Sequence, residues 1–79
     1  MTVTREKYQL AFGKRLNHVM QASKMSYRDV ASRSDIGANI VCRWANGQAI
    51  PSVFTFAKFC LAMKLDAHTI CALLGVNAK

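Results

Sequence analysis

Apolar residues recur along this chain at steps of three and four, and no stretch alternates at a step of two. Tyr8, Ala11, Phe12, Leu16, Val19 and Met20 form the stripe of an amphipathic helix. Thr4 is placed to cap it, Glu6 complements the dipole of its first turn, and the pattern fades near Ser23. Ser26 followed by Asp29 is a capping box that opens a short second helix through Val30, Ala31 and Arg33; Ser34, Asp35 and Gly37 break it. A third helix is predicted from Ala38 to Ala45, stopping at Asn46-Gly47, where glycine supplies a left-handed cap. Pro51-Ser52 marks the next boundary, and Ser52 caps a fourth helix carrying Val53, Phe56, Ala57, Phe59, Cys60 and Met63. Asp66 caps a fifth, with Ile70, Leu73 and Leu74 apolar and Gly75 ending it. All connections are short, with no repeat or linker. The pattern predicts one compact all-α domain of five helices over residues 1–79.

Size and charge narrow the function. Seventy-nine residues lie near the lower limit for a domain that folds without staples, and 52% hydrophobic content suits a globular chain. Eleven Lys and Arg against four Asp and Glu give a net charge of +7, which favours polyanions, nucleic acid first and an anionic membrane surface second. Seven of the eleven cations (Arg5, Lys7, Lys14, Arg15, Lys24, Arg28, Arg33) precede the third helix. A membrane-surface peptide would concentrate its cations on one amphipathic helix, whereas here several helices share the apolar faces. The longest apolar-rich stretch, Val53 to Leu65, is interrupted by Lys58 and Lys64 and is too short to span a bilayer. The opening MTVTREKYQL carries charges where a secretion signal has its apolar core, so none is expected.

Cysteine usage points to a reducing, cytoplasmic setting. Cys42, Cys60 and Cys71 are odd in number, lack a C-x-x-C pair and sit in apolar periodic segments. His68 and Cys71 lie one helical turn apart but have no second pair of ligands, so no metal or other cofactor is expected, and no small-molecule ligand is indicated. Glu6, Asp29, Asp35 and Asp66 form no pair at catalytic spacing, and neither histidine has a nucleophile near it in sequence. The expectation is a binding protein rather than an enzyme.

The third helix is unusual in this basic chain. At 100° per residue, Val41, Trp44 and Ala45 share one face, while Asn39, Arg43 and Asn46 centre on the other with Ala38 and Cys42 beside them. A merely solubilising face is usually richer in Lys and Glu. Small residues flanked by an amide and a guanidinium suit a surface that reads base edges, because Asn and Arg make bidentate hydrogen bonds to adenine and guanine.

Residues Tyr27 to Trp44 resemble the helix-turn-helix of the phage repressor and Cro-like (Xre-type) DNA-binding family. SYRDVASR supplies Val30 and Ala31 where that family packs its two helices, and Ile36, Val41 and Trp44 fall at its apolar positions. The resemblance extends from about Phe12 to Ile70: FGKRLNHV is similar to the first helix, and PSVFTFAKFCLAMKLD to the fourth. Departures are Asp35 at the turn position usually held by Gly, Ser34 where an apolar residue is common, and Tyr27 where Gln is frequent. Met20 and Ala45 replace an Arg–Glu pair found in many members, which suggests an apolar contact in place of an ion pair.

The resemblance implies a lambda-repressor-like fold and a sequence-specific transcriptional regulator of double-stranded DNA, a repressor of phage or mobile-element type, with the third helix in the major groove. Ala38, Asn39, Ile40 and Arg43 are then the expected base contacts; Tyr27, Arg28, Gly37, Asn46 and Gln48 are the expected phosphate contacts. Trp44 is expected in the core. Family members usually bind near-palindromes as homodimers, and Phe54, Leu61 and Val76 are apolar residues available for the dimer interface. The alternative is a protein-interaction module of antitoxin or anti-repressor type, whose signature is a long disordered extension or an extended apolar surface.

Overall fold

The computed structural model describes residues 4–76, and among them it contains five α-helices and no strand. They are α1 (Arg5–Ala22), α2 (Tyr27–Ser34), α3 (Ala38–Ala45), α4 (Val53–Met63) and α5 (Ala67–Leu74). Four of the five starts carry a side-chain cap. The side chains of Thr4, Ser26, Ser52 and Asp66 accept from the backbone N–H three residues on, at 3.2, 3.2, 3.2 and 2.8 Å. The capping box of α2 is complete, since the Ser26 N–H donates to the Asp29 carboxylate at 2.9 Å. Backbone N–H donors hold the Asp29 and Asp66 carboxyls below the ordinary carboxylate range, Asp29 through Ser26 and Asp66 through Thr69.

The helix ends share one geometry. Lys24, Asp35, Gly47, Lys64 and Gly75 all adopt positive φ, and the N–H of each following residue reaches back five positions. Met25 donates to Met20, Ile36 to Ala31, Gln48 to Arg43, Leu65 to Cys60 and Val76 to Cys71. Asp35 therefore performs the turn expected of glycine, at φ 57° and ψ 38°.

Packing joins α1 to α3 and α5, and α2 to α3 and α4. Phe12, Leu16, Val30, Val41, Trp44, Phe59 and Leu73 lie at the centre, each at most 3% exposed. Trp44 meets Phe59 edge-on at 6.2 Å between ring centroids, and Phe12 meets Phe56 at 6.0 Å. Met20 and Ala45 are both buried in this cluster, in keeping with an apolar contact at that position. Ser34 is buried too; its hydroxyl donates to the Val30 carbonyl at 2.6 Å, which satisfies it within its own helix. Among the described residues no buried side-chain N or O lacks a hydrogen-bond partner.

Phe56, Phe59, Cys60 and Met63 face the core, but Val53 is 89% exposed and Ala57 is exposed as well. Both lie off the centre of the packed face on the helical wheel, and Val53 occupies the first turn. The α1–α5 contact also assigns Arg15 a structural role. Its Nε donates to the Leu73 carbonyl at 2.9 Å, while the Tyr8 hydroxyl donates to the Leu74 carbonyl at 2.7 Å. The guanidinium lies 5.6 Å from the Tyr8 ring centre. Two side chains of α1 thus satisfy the last carbonyls of α5, and a cation sits at its negative end. No described helix is long and apolar enough to cross a membrane.

Candidate nucleic-acid interface

The apolar residues of α3 turn inward: Val41, Trp44 and Ala45 are 0%, 3% and 7% exposed. Asn39, Arg43 and Asn46 are exposed on the opposite side, with Ala38 and Cys42 half-buried beside them. Ile40 stands at the margin, 42% exposed. The helix contains no acidic residue, so its outward face presents amides, a guanidinium and small apolar groups.

Both ends of α3 differ from those of the other helices. It is the one helix among the five whose start carries no side-chain cap; Gly37 stands at the N-cap position. The first N–H groups of the helix are therefore free of a side-chain partner and available to an anionic acceptor. Gly37 has φ −58° and ψ 139°, a conformation open to any residue. A Cβ there would lie 2.7 Å from the Asn39 Oδ1, the end of a side chain free to rotate, so glycine at this position leaves room for the present orientation of Asn39. At the other end, the residue after the left-handed position is Gln48, exposed, where the other helices have Met25, Ile36, Leu65 and Val76. Asn46 lies beside it and donates to the Cys42 sulfur at 3.4 Å.

The elements behind α3 fix its placement. A Cβ on Gly13 would meet the carbonyl oxygens of Ala45 and Trp44 at 2.7 and 2.8 Å, so α1 crosses the end of α3 in direct backbone contact. Asn17, one turn further along α1, donates its amide to the Ala45 carbonyl at 3.1 Å. The same Asn17 accepts a long hydrogen bond from the Tyr27 hydroxyl at 3.4 Å, linking the start of α2 to the end of α3. Leu10 packs against Gly47, where a Cβ would come within 2.7 Å of its side chain. Gly13, Asn17 and Leu10 went unassigned in the sequence. An isolated glycine within a helical pattern was the one available signal.

The expected contact residues divide accordingly. Gly37, Ala38, Asn39, Ile40, Arg43, Asn46 and Gln48 all belong to α3 and its two flanking turns. Arg28 is exposed at the start of α2. Tyr27 is half-buried and packs against the core, so its ring is a structural element; with Asn17, Gln21 and Ser26 it lines an open groove of about 290 Å³. Phe54, Leu61 and Val76 are 74%, 79% and 56% exposed, away from the packed core. Cys42, Cys60 and Cys71 are free thiols, and burial pushes the Cys60 thiol up. Among the described residues no three His, Cys, Asp or Glu side chains gather as a metal site. No protein-family model matches the chain, and no curated protein matches it in sequence.

Proposed function

We propose that this chain is a sequence-specific double-stranded DNA-binding regulator, a repressor of phage or mobile-element type, which inserts α3 into the major groove. The observation that carries this reading is the two-sided character of α3: Val41, Trp44 and Ala45 anchor it in the core while an acid-free face of Asn39, Arg43 and Asn46 points to solvent. Arg43 and Asn39 read purine edges, with Ala38 and Ile40 against thymine methyls. Gly37, Gln48, Asn46 and Arg28 contact phosphates, and the Tyr27 hydroxyl does so by giving up its long bond to Asn17. The net charge of +7 supplies the attraction to the duplex, and two copies on a near-palindromic site supply enough base pairs for selectivity. The resemblance of Tyr27 to Trp44 to the Cro-like family supports the same arrangement.

The test is selection of bound sites from a random duplex library, followed by titration of two variants on the selected site. Arg43→Ala is expected to cost about 1–3 kcal/mol and to relax selectivity at one base pair per half-site. Arg28→Ala is expected to weaken all sequences alike. Equal and uniform losses in the two variants would make Arg43 a phosphate contact, and an empty selection would reject the function.

A further inference from the structure

Between them, α1 and α5 leave an open groove of about 250 Å³, lined by Lys14, Arg15, His18, Val19, Ala72 and Leu73. Val19, Ala72 and Leu73 make an apolar floor, and Lys14, Arg15 and His18 form a basic wall on the α1 side. The Arg15 Nε donates to the Leu73 carbonyl at 2.9 Å, which holds that guanidinium in the wall. Lys14 and His18 are exposed one turn apart, and Lys7 extends the same stripe towards the start of α1. Beyond Glu6, α1 has no acid, and α5 has none, so neither helix balances these charges.

Size and chemistry together select the occupant. A site that encloses a free small molecule spans roughly 300–1,000 Å³. This groove is smaller and open, and it suits one or two side chains of a larger partner. A nucleic-acid backbone would answer the basic wall but leave the apolar floor in water. A bilayer takes up apolar residues that project from a surface, whereas Val19 is half-buried and Leu73 buried. A peptide segment with an apolar residue between carboxylates answers both surfaces. Its apolar side chain covers the floor while its carboxylates meet Lys14, Arg15 and His18.

We infer that the α1–α5 groove is a docking site for an acidic segment of another protein, anchored by one apolar side chain. The site is separate from the outer face of α3. Gly13 and Asn17 carry the contact of α1 with the end of α3, and at 100° per residue they lie roughly 160° around the helix from Arg15 and Val19. The groove can therefore be filled while α3 is engaged, so the chain joins an acidic partner to whatever α3 holds. Charge and shape alone carry this inference, and it does not depend on what α3 binds.

The experiment titrates the full-length, isotope-labelled chain by NMR with a short blocked peptide in which one leucine is flanked on both sides by glutamates. Shifts are expected to centre on Val19, Ala72 and Leu73. Replacing the leucine by serine, or the glutamates by glutamines, is expected to weaken binding at least about 10-fold in each case. Lys14→Glu combined with His18→Glu should weaken the acidic peptide by a similar factor and favour a peptide flanked by lysines instead. Ala72→Arg is the discriminating variant, because it adds a cation but fills the floor, at an exposed position that the fold tolerates. Docking requires a loss of about 10-fold in that variant. Unchanged or tighter binding would reduce the contact to general charge attraction and overturn the proposal. So would peptide-induced shifts confined to α3, the same Val19 and Ala72 shifts produced by duplex DNA alone, or stronger binding to phosphatidylserine vesicles that Ala72→Arg leaves intact.

Discussion

Gly13→Ala tests whether the seating of α3 depends on the close crossing with α1. In an ordinary helix interior this substitution stabilises, by about 1 kcal/mol on helix propensity. Here the added Cβ would sit 2.7 Å from the Ala45 oxygen and 2.8 Å from the Trp44 oxygen. An ordinary contact begins near 3.4 Å, so the two helices must separate by about 0.6 to 0.7 Å. Both obstructing atoms are backbone carbonyls, and no rotamer change relieves them. Overpacking of this kind costs about 1–3 kcal/mol, which outweighs the propensity gain at all but its lowest value. The variant is therefore expected to lose up to about 2 kcal/mol. For a domain of this size that corresponds to a drop in Tm of about 4–8 °C for each kcal/mol, read by thermal unfolding followed by circular dichroism.

The displacement also strains the Asn17 amide bond to Ala45, now 3.1 Å, because the same crossing sets its length. Site affinity at a temperature where the variant is fully folded should then fall along with stability, since α3 is carried away from its frame. A Gly13→Ala protein that is about 1 kcal/mol more stable, as propensity alone dictates, would show that α1 and α3 are not in backbone contact and would refute this reasoning.

Two further outcomes are expected. Asp29 and Asp66 have carboxyl pKa values lowered by helix-start hydrogen bonds, so the unfolded chain binds more protons than the folded one on the acid side; the stability they add is complete above about pH 5 and is lost as pH falls through the unfolded value near 3.9 towards the folded one. Asp29→Asn combined with Asp66→Asn should flatten the acid limb of a urea-midpoint profile, and an unchanged limb would place the acid sensitivity elsewhere. In the folded protein, iodoacetamide should label Cys42 and Cys71 ahead of the buried Cys60; a selected duplex should slow Cys42 specifically, and equal protection of Cys71 would argue for DNA on the α5 side instead.

What the sequence disclosed follows the range of the interactions involved. Four helix starts and all five helix ends are set by contacts within about five residues, such as Thr4 to Lys7 or Met25 to Met20; only the start of α3 lacks a side-chain cap. The orientation of α3 was also legible, because a tryptophan and a valine define its inner face and few residues compete with them. Long-range roles were not. Arg15 looked like one more cation for a polyanion, and its engagement with Leu73 spans 58 positions. Asn17 bonds Ala45 across 28 positions, and neither residue type announces a partner. Val53 and Ala57 are apolar residues of α4 that end up exposed, because periodicity does not show how far the neighbouring helices extend to cover them.

The separation between residues that seat α3 and residues on its outer face is sharpest at Gly37. Its backbone conformation suits alanine, so Gly37→Ala introduces no strain. The loss of chain entropy in the unfolded state favours alanine by about 0.4–1 kcal/mol, while alanine is a poorer N-cap than glycine by a similar amount. These terms offset each other, and stability should stay within about 0.5 kcal/mol of the parent. The new Cβ has one close neighbour, the Asn39 Oδ1 at 2.7 Å; the next atom, on Ile40, is at 3.8 Å. A side-chain amide can rotate away at little cost, so the fold tolerates the change and Asn39 takes a new orientation. If Asn39 reads a base edge, the variant should keep its melting temperature and lose selectivity at a single base pair, the one read by Asn39, by about 1–3 kcal/mol. Repeating the site selection with Gly37→Ala measures this directly. An unchanged motif together with an unchanged melting temperature would remove Asn39 from the reading face and leave Arg43 as the principal determinant.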